Sequence, residues 1–287
     1  MSTVVKLVQG SPEWHEHRRK YRNASETPVV LGVSPWQTPY RLWEEKLGLK
    51  EPEVTAPMLR GVELEPAARA AYEARTGFVM QPLVLLDGEY SASLDGITLG
   101  GERILEIKCP FKGHDSALWQ AVDGDGHLPE HYHWQVQHQL MVAKAGIADV
   151  FVFDGEDGIL LEVTPDPSSW GRIHEAWDAF AAFLVQRTPP PLSKGDVRQR
   201  DDAEWAEAAQ AYIEARRAAD VTQKTLDDAK GRLIALTSHS SEAGCGVTVT
   251  RFWRKGSVDY SRIEELRAID LERYRSAPKQ ETRIMVM

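Results

Sequence analysis

The sequence Ser93-Leu94-Asp95-Gly96 and the later sequence Glu106-Ile107-Lys108 decide the fold of this 287-residue chain. Alternation of apolar and polar residues predicts strands over 78–86, 90–97 and 103–109, separated by Asp-Gly and Gly-Gly turns. Because side chains alternate along a strand, Glu106 and Lys108 leave one face while Leu105 and Ile107 face the core. Antiparallel pairing through the Gly-Gly turn then brings Asp95 to the same edge of the sheet.

This arrangement predicts a metal site. Two carboxylates, Asp95 and Glu106, with the main-chain carbonyl of Ile107, form an oxygen-only donor set that suits Mg²⁺ or Mn²⁺. Lys108 beside them can orient or deprotonate a water molecule. The alternative for the same residues is a solvated strand face with a weak ion pair. The apolar residues around Glu106 favour the metal site over that alternative.

The flanking sequence predicts an α/β fold. Helices are expected over 57–76, with Gly77 as the stop, over 130–144 and over 167–186, and strands over 148–153 and 158–163. Together these elements predict a mixed central sheet flanked by helices. Three prolines at 189–191 end the last helix, so we predict one domain over 1–190 and a C-terminal helical and β extension over 191–287. Residues 200–238 of the extension are expected to form a long helix.

Several motifs in fixed order carry a resemblance to a known family. They are Trp14-His15 with Arg18, Ala24-Ser25-Glu26, Arg60-Gly61 with Glu65, Leu94-Asp95-Gly96, Glu106-Ile107-Lys108-Cys109-Pro110-Phe111 and Gln135-Val136-Gln137. As a set, over about residues 9–187, they resemble the phage-type exonucleases of the lambda exonuclease/YqaJ viral recombinase family. That family belongs to the PD-(D/E)xK nucleases, so the resemblance implies a restriction-endonuclease-like core.

The resemblance implies catalytic roles for five residues, which are Asp95, Glu106, Lys108, Glu65 and Gln135. Asp95, Glu106 and the Ile107 carbonyl would hold catalytic Mg²⁺, or Mn²⁺ in its place. Glu65 would reach a second metal ion or the attacking water, and Lys108 would position that water.

The resemblance also implies roles for polar residues outside the metal site. Gln135 would support the nucleophile, and Arg18 and Ser25 would bind the 5′ phosphate of a duplex end. A second arginine that some family members use in that pocket has no clear counterpart after Ser34-Pro35-Trp36, and Arg41 is the candidate to replace it.

The implied activity is metal-dependent hydrolysis of linear duplex DNA, 5′→3′, in phage-type recombination. The resemblance further implies a homo-oligomer, with a ring-shaped trimer as one form, and a single-strand annealing protein as partner. Two alternatives stay open: an endonuclease of the same fold, and a non-catalytic DNA-binding or scaffolding module.

Composition limits the classes of function. The formal net charge of −9 argues against a protein whose whole surface is basic and binds nucleic acid, although residues 1–25 are locally basic. Two cysteines cannot form a disulfide framework, and no apolar run is long enough to span a membrane, so we expect a cytoplasmic protein. The His127-Leu-Pro-Glu130-His131 sequence resembles a zinc-peptidase motif, but Pro129 should place His127 outside the helix.

Overall fold

The computed structural model describes residues 2–8, 10–264, 266, 269, 271–279, 282, 284 and 285. The chain divides into two compact units, residues 1–198 and 199–287. The predicted boundary after residue 190 therefore lies within the last segment of the first unit. Within the described residues, no helix combines the length and the apolar composition that crossing a membrane requires.

The first unit alternates strands and helices along the chain. Its strands are Thr3–Val5 (β1), Arg22–Asn23 (β2), Leu83–Asp87 (β3), Tyr90–Leu94 (β4), Gly96–Ile97 (β5), Arg103–Lys108 (β6), Ile147–Phe153 (β7) and Gly158–Val163 (β8). Its helices are Pro12–Lys20 (α1), Thr27–Val30 (α2), Pro39–Lys46 (α3), Ala56–Thr76 (α4), Ala117–Asp125 (α5), Glu130–Ala143 (α6) and Pro167–Gln186 (α7).

The described strands of this unit form two four-stranded sheets. The first has the order β1-β3-β4-β2 and the second the order β5-β6-β7-β8. Both are mixed, because β2 pairs with β4 in parallel and β6 pairs with β7 in parallel, while the other neighbours are antiparallel. The predicted α/β class with a mixed sheet flanked by helices is confirmed.

Asp95 lies at the point where the chain passes from one sheet to the other. The strand predicted over 90–97 is divided there, because β4 belongs to the first sheet and β5 to the second. Gly96 pairs with Leu105, so extending that register by one residue sets Asp95 beside Glu106. A Cβ atom on Gly96 would lie 2.6 Å from the Cβ of Met80, so the close approach requires glycine.

Helices cover both faces of β6. Leu105 and Ile107 pack against Tyr72 of α4, whereas Ile104 packs against Leu140 of α6. The face that carries Glu106 and Lys108 is therefore buried under α6, and Glu106 is only 4% exposed. Sequence alternation identified the two faces correctly, but it did not reveal that a helix covers the polar one.

Helix ends follow their capping residues. The Ser11 side chain accepts a hydrogen bond from the Trp14 amide at the start of α1, and Gly77 ends α4 in the left-handed region at φ 76°. Ser116 caps α5 in the same way as Ser11. That helix occupies a Gly- and Asp-rich stretch whose composition is typical of a loop.

The second unit contains one long helix followed by a hairpin in its described residues. The helix is Ala203–Leu236 (α8), capped by Asp202, whose side chain accepts from the Trp205 amide. Strands Ser241–Gly244 (β9) and Val247–Thr250 (β10) pair antiparallel.

Candidate active site

Two carboxylates from adjoining strands lie at the centre of the site. The Asp95 Oδ2 atom accepts a hydrogen bond from the Ile107 amide at 2.7 Å. Lys108 Nζ lies 2.6 Å from Glu106 Oε1. The predicted convergence of these residues at the edge of β6 is therefore present in the structure.

Two glutamines of α6 hold the Glu106 carboxylate. Gln135 donates from Nε2 to Glu106 Oε1 at 2.7 Å, and its Oε1 accepts from Lys108 Nζ at 3.2 Å. Gln139, one helical turn later, donates to Glu106 Oε2 at 2.5 Å. Both carboxylate oxygens thus have fixed partners, and α6 determines where Glu106 and Lys108 point.

The site holds negative charge in a buried setting. Burial raises the pKa of Asp95 well above its usual range, and the neighbouring charges of Glu106 and Glu65 raise it further. Burial lowers the pKa of Lys108, but Glu106, Tyr132 and Asp95 together outweigh it, so the pKa of Lys108 is raised. Lys108 is therefore a cation, which suits it to orient a water molecule or a phosphate oxygen better than to accept a proton.

Helix α4 brings Glu65 to the same site. Glu65 forms an ion pair with Arg69 one turn later. Arg69 also donates from Nε to the main-chain oxygen of Asp95 at 2.7 Å. Arg69 therefore fixes α4 to the junction between the two sheets and neutralises Glu65.

The residues present fit a divalent cation by their chemistry. Within the described residues, no group of three His, Cys, Asp or Glu side chains is arranged as a ready metal cage. Two of the three carboxylates of the site form ion pairs, Glu65 with Arg69 and Glu106 with Lys108. Burial, and after it the charges of Glu106 and Glu65, raise the pKa of Asp95. Three carboxylates share two cations here, and a divalent cation relieves the remaining negative charge. Oxygen donors of this kind suit Mg²⁺ and Mn²⁺.

Arg18 and Ser25 form a second cluster. Arg18 donates from one guanidinium nitrogen to Ser25 Oγ at 3.0 Å and from another to Glu26 Oε1 at 3.0 Å. The guanidinium also lies over the Trp14 ring, 4.8 Å from its centre. The Ser25 hydroxyl and this guanidinium are thus held side by side, in a geometry that suits an anionic oxygen.

A buried carboxylate supports this second cluster from below. Glu26 Oε2 lies 2.6 Å from Lys46 Nζ and accepts from Asn23 Nδ2 at 2.9 Å. Burial would raise the pKa of Glu26, but Lys46 and Arg18 together lower it. Glu26 therefore stays ionised. Together with Ser25, it accepts hydrogen bonds from the Arg18 guanidinium and so fixes its position.

Trp14 connects the two clusters. Its indole Nε1 donates to Ser93 Oγ at 3.1 Å, and Ser93 precedes Asp95 by two residues on β4. The ring that supports Arg18 is thus hydrogen-bonded to the strand that leads to the carboxylate site.

Aromatic side chains line the site beside Lys108. The Tyr132 ring centre lies 4.9 Å from Lys108 Nζ. Trp36 stacks edge-on against His131 at 4.7 Å and contacts Tyr132, while remaining 70% exposed. Arg41, the candidate second phosphate ligand, donates to Glu45 and to the Glu51 carbonyl.

Sequence reasoning missed several of these residues. Gln139 is one of them, although its spacing of four from Gln135 already predicts that both share one helix face. Arg69 has the same spacing from Glu65. Lys46 carried no local signal, because its ion pair with Glu26 depends on helix packing.

The structure excludes both the zinc-peptidase motif and a nucleophilic role for Cys109. Helix α6 begins at Glu130, so His127 lies outside it and cannot share a helical face with His131. Burial and Asp95 raise the pKa of Cys109 to about 11, so this residue is a thiol at neutral pH rather than a nucleophilic thiolate. Cys109 and Cys245 are both free.

Comparisons with known proteins agree with this architecture. Residues 13–146 match the YqaJ-like viral recombinase domain family. The uncharacterised protein YqaJ of Bacillus subtilis (strain 168) is 32% identical over 226 residues, which are 75% of this chain and 66% of that protein. The chain thus spans slightly under two thirds of that relative's length.

Solved structures share the fold. An alkaline exonuclease from Laribacter hongkongensis, LHK-Exo, aligns with a TM-score of 0.53 and 23% identity, over 71% of this chain and all of that one. The structure of LHK-Exo in complex with dAMP aligns with a TM-score of 0.52 and 24% identity, over 62% and 94% of the two chains.

Proposed function

Residues 13–146 match the YqaJ-like viral recombinase domain, and from this premise we propose that the chain belongs to that family and is a metal-dependent exonuclease of linear duplex DNA. It would hydrolyse phosphodiester bonds 5′→3′ in phage-type recombination. The observation that carries this proposal is the group of Asp95, Glu106 and Lys108, in which Gln135 of α6 contacts both Glu106 and Lys108. Trp14 connects this group to the cluster of Arg18 and Ser25.

The proposed metal ligands are Asp95, Glu106, the Ile107 carbonyl and Glu65. Mg²⁺, or Mn²⁺ in its place, would stabilise charge on the scissile phosphate and lower the pKa of the attacking water. Lys108 contributes a fixed positive charge, because Glu106 and Gln135 both contact its ammonium group.

The protein's own groups are arranged to hold the reacting water and phosphate. The Lys108 ammonium can donate to either of them, and the Gln135 amide prevents it from swinging away. Gln139 keeps the second oxygen of Glu106 in place. Such preorganised donors need no rearrangement as charge develops, which is the main source of electrostatic catalysis.

Direction would come from the second cluster. A guanidinium held between Ser25 and Glu26 presents its remaining N–H groups to an anion. If it binds the 5′ phosphate of a duplex end, the bond that enters the carboxylate site lies a fixed distance from that end. Degradation would then proceed from 5′ ends and leave a 3′ single strand.

Higher-order properties are proposed on the basis of the family resemblance. They are a ring-shaped homo-oligomer, with a trimer as one form, that encircles DNA, and a single-strand annealing protein that receives the 3′ strand. Action in the cytoplasm is proposed instead from the two cysteines, which are too few for a disulfide framework.

The decisive experiment compares three DNA substrates with Mg²⁺ and with EDTA. We expect linear 5′-phosphorylated duplex to be degraded with loss of a 5′ label first, 5′-hydroxyl duplex to be degraded more slowly, and covalently closed circular duplex to survive. Equal cleavage of the circle would identify an endonuclease. Binding without any degradation would identify a non-catalytic module.

A further inference from the structure

Helix α8 of the second unit lacks the packing that normally stabilises a helix. It is 34 residues long, and none of its side chains is buried in the described part of the chain. Its own ion pairs, such as Arg216 with Asp220 and Lys230 with Asp227, contribute only a few tenths of a kcal/mol each. Helices of globular proteins are stabilised mainly by an apolar face that packs against something.

Such a face is present and follows a seven-residue repeat. We call it the heptad seam. Its a positions are Trp205, Tyr212, Ala219, Leu226 and Leu233, and its d positions are Ala208, Ala215, Thr222, Ala229 and Leu236. The repeat continues for more than four heptads without a charged residue, which is the length and pattern of a coiled-coil strand.

The heptad seam is exposed along its whole length. Trp205 is 52% exposed, Leu226 48% and Leu236 79%. The outer face of α8 carries the charges, including Glu207, Glu214, Lys224 and Asp228. An exposed apolar stripe of this length, backed by a charged face, indicates an interaction surface.

We propose that the heptad seam binds the same seam of a second copy of this chain, as an antiparallel coiled coil. The argument is the order of side-chain sizes along the seam. When two copies of α8 run in opposite directions, each a position faces a d position of the other copy. The facing pairs are Trp205–Leu236, Leu233–Ala208, Tyr212–Ala229, Leu226–Ala215 and Ala219–Thr222.

Three of these five layers join a large side chain to an alanine. The two helix axes can therefore keep a similar separation through them, as close packing requires. A parallel pair would instead set each a position against itself, so layers of two Trp, Tyr or Leu side chains would alternate with layers of two alanines. No single separation of the helix axes allows both the large and the small layers to pack closely. The side-chain sizes along the heptad seam are therefore complementary to those of a second copy that runs in the opposite direction.

Charges beside the seam allow this pairing. In the antiparallel arrangement Arg216 faces Gln223, Lys230 faces Ala209, and Arg232 faces an alanine. No like charges meet across these flanking positions, so repulsion does not oppose the pairing.

Orientation-specific crosslinking of the full chain tests the proposal. All variants also carry Cys245→Ser. Ala208→Cys and Leu233→Cys are each purified alone. A third preparation coexpresses these two variants with different tags, so that mixed pairs can be isolated. Two copies of Ala208 in an antiparallel pair lie about 37 Å apart, from 1.5 Å per residue. A short thiol crosslinker should therefore link the mixed chains about tenfold more than either variant alone.

Two results would overturn the proposal. Linked dimers of Ala208→Cys alone would show a parallel pair, and an absence of linkage in the mixture would show that the first unit or another protein covers the seam. Leu226→Glu should abolish the mixed crosslink, and Lys224→Glu on the outer face should preserve it. The crosslink reports the orientation of two α8 helices. The same result is therefore expected for any number of copies in the assembly of the nuclease units.

Discussion

Replacing Arg18 with alanine should reduce the preference for phosphorylated 5′ ends. Arg18 is held by Ser25 and Glu26 and has N–H groups left to contact an anion. The variant should degrade 5′-phosphorylated duplex more slowly, whereas its rate on 5′-hydroxyl duplex should stay close to that of the wild type.

The structure sets the size of this effect. Removing one partner of a charge-assisted hydrogen bond costs about 1.5–3 kcal/mol. The Arg18 side chain is 25% exposed, so water screens it in part, and we take about 1.4–2 kcal/mol. This corresponds to a loss of about 10- to 30-fold on the phosphorylated end.

The fold should survive the substitution. Glu26 keeps Lys46 at 2.6 Å and Asn23 at 2.9 Å, so no buried charge is left without a partner. The free energy of unfolding should fall by only about 1 kcal/mol.

The assay is the ratio of initial rates on phosphorylated and hydroxyl ends of one duplex. Arg19→Ala is the matched control, because the neighbouring arginine forms only surface ion pairs with Glu16 and Glu51. An equal loss on both ends in Arg18→Ala would refute the phosphate pocket. Wild-type rates on both ends in that variant would refute it as well.

Three further predictions concern the carboxylate site and the core. Lys108→Ala should lower the rate of DNA hydrolysis about 100-fold or more through loss of a fixed donor, and exposed Lys112→Ala should not. Glu65→Gln should raise the Mg²⁺ concentration at half-maximal activity about tenfold, whereas exposed Glu63→Gln should leave it unchanged. Burial lowers the pKa of His138 to about 3, so its contribution to stability is complete above pH 6.5 and is lost as the pH falls towards 3. Denaturant unfolding should show the wild type losing about 1 kcal/mol between pH 7 and 5.5, and an equal loss in His138→Gln would contradict this.

The buried polar groups explain why α6 matters as much as β6. His138 accepts or donates at Thr27 Oγ1, 2.5 Å away, and Trp177 Nε1 donates to the same hydroxyl. These bonds fasten α6 to α2 and α7. Gln135 lies three residues before His138 and Gln139 directly follows it, so the same anchoring helps to hold both glutamines against Glu106.

Local signals predicted the elements with local causes. Gly77 ends α4 as predicted, and its amide donates to the Glu73 carbonyl within one turn. Where the cause was not local, prediction was wrong. The strand predicted from residue 78 begins at 83, and α5 lies where Gly and Asp suggested a loop.

The sequence by itself determined which side chains share the face of β6, because alternation along a strand is a property of the backbone. It also determined the order of motifs on which the family resemblance rests. Only the tertiary structure decided that Asp95 sits at a junction between two sheets and that α6 buries Glu106. It also decided that Arg69, Lys46 and Gln139 complete the two clusters. Those contacts join segments far apart in the chain, and packing alone brings them together.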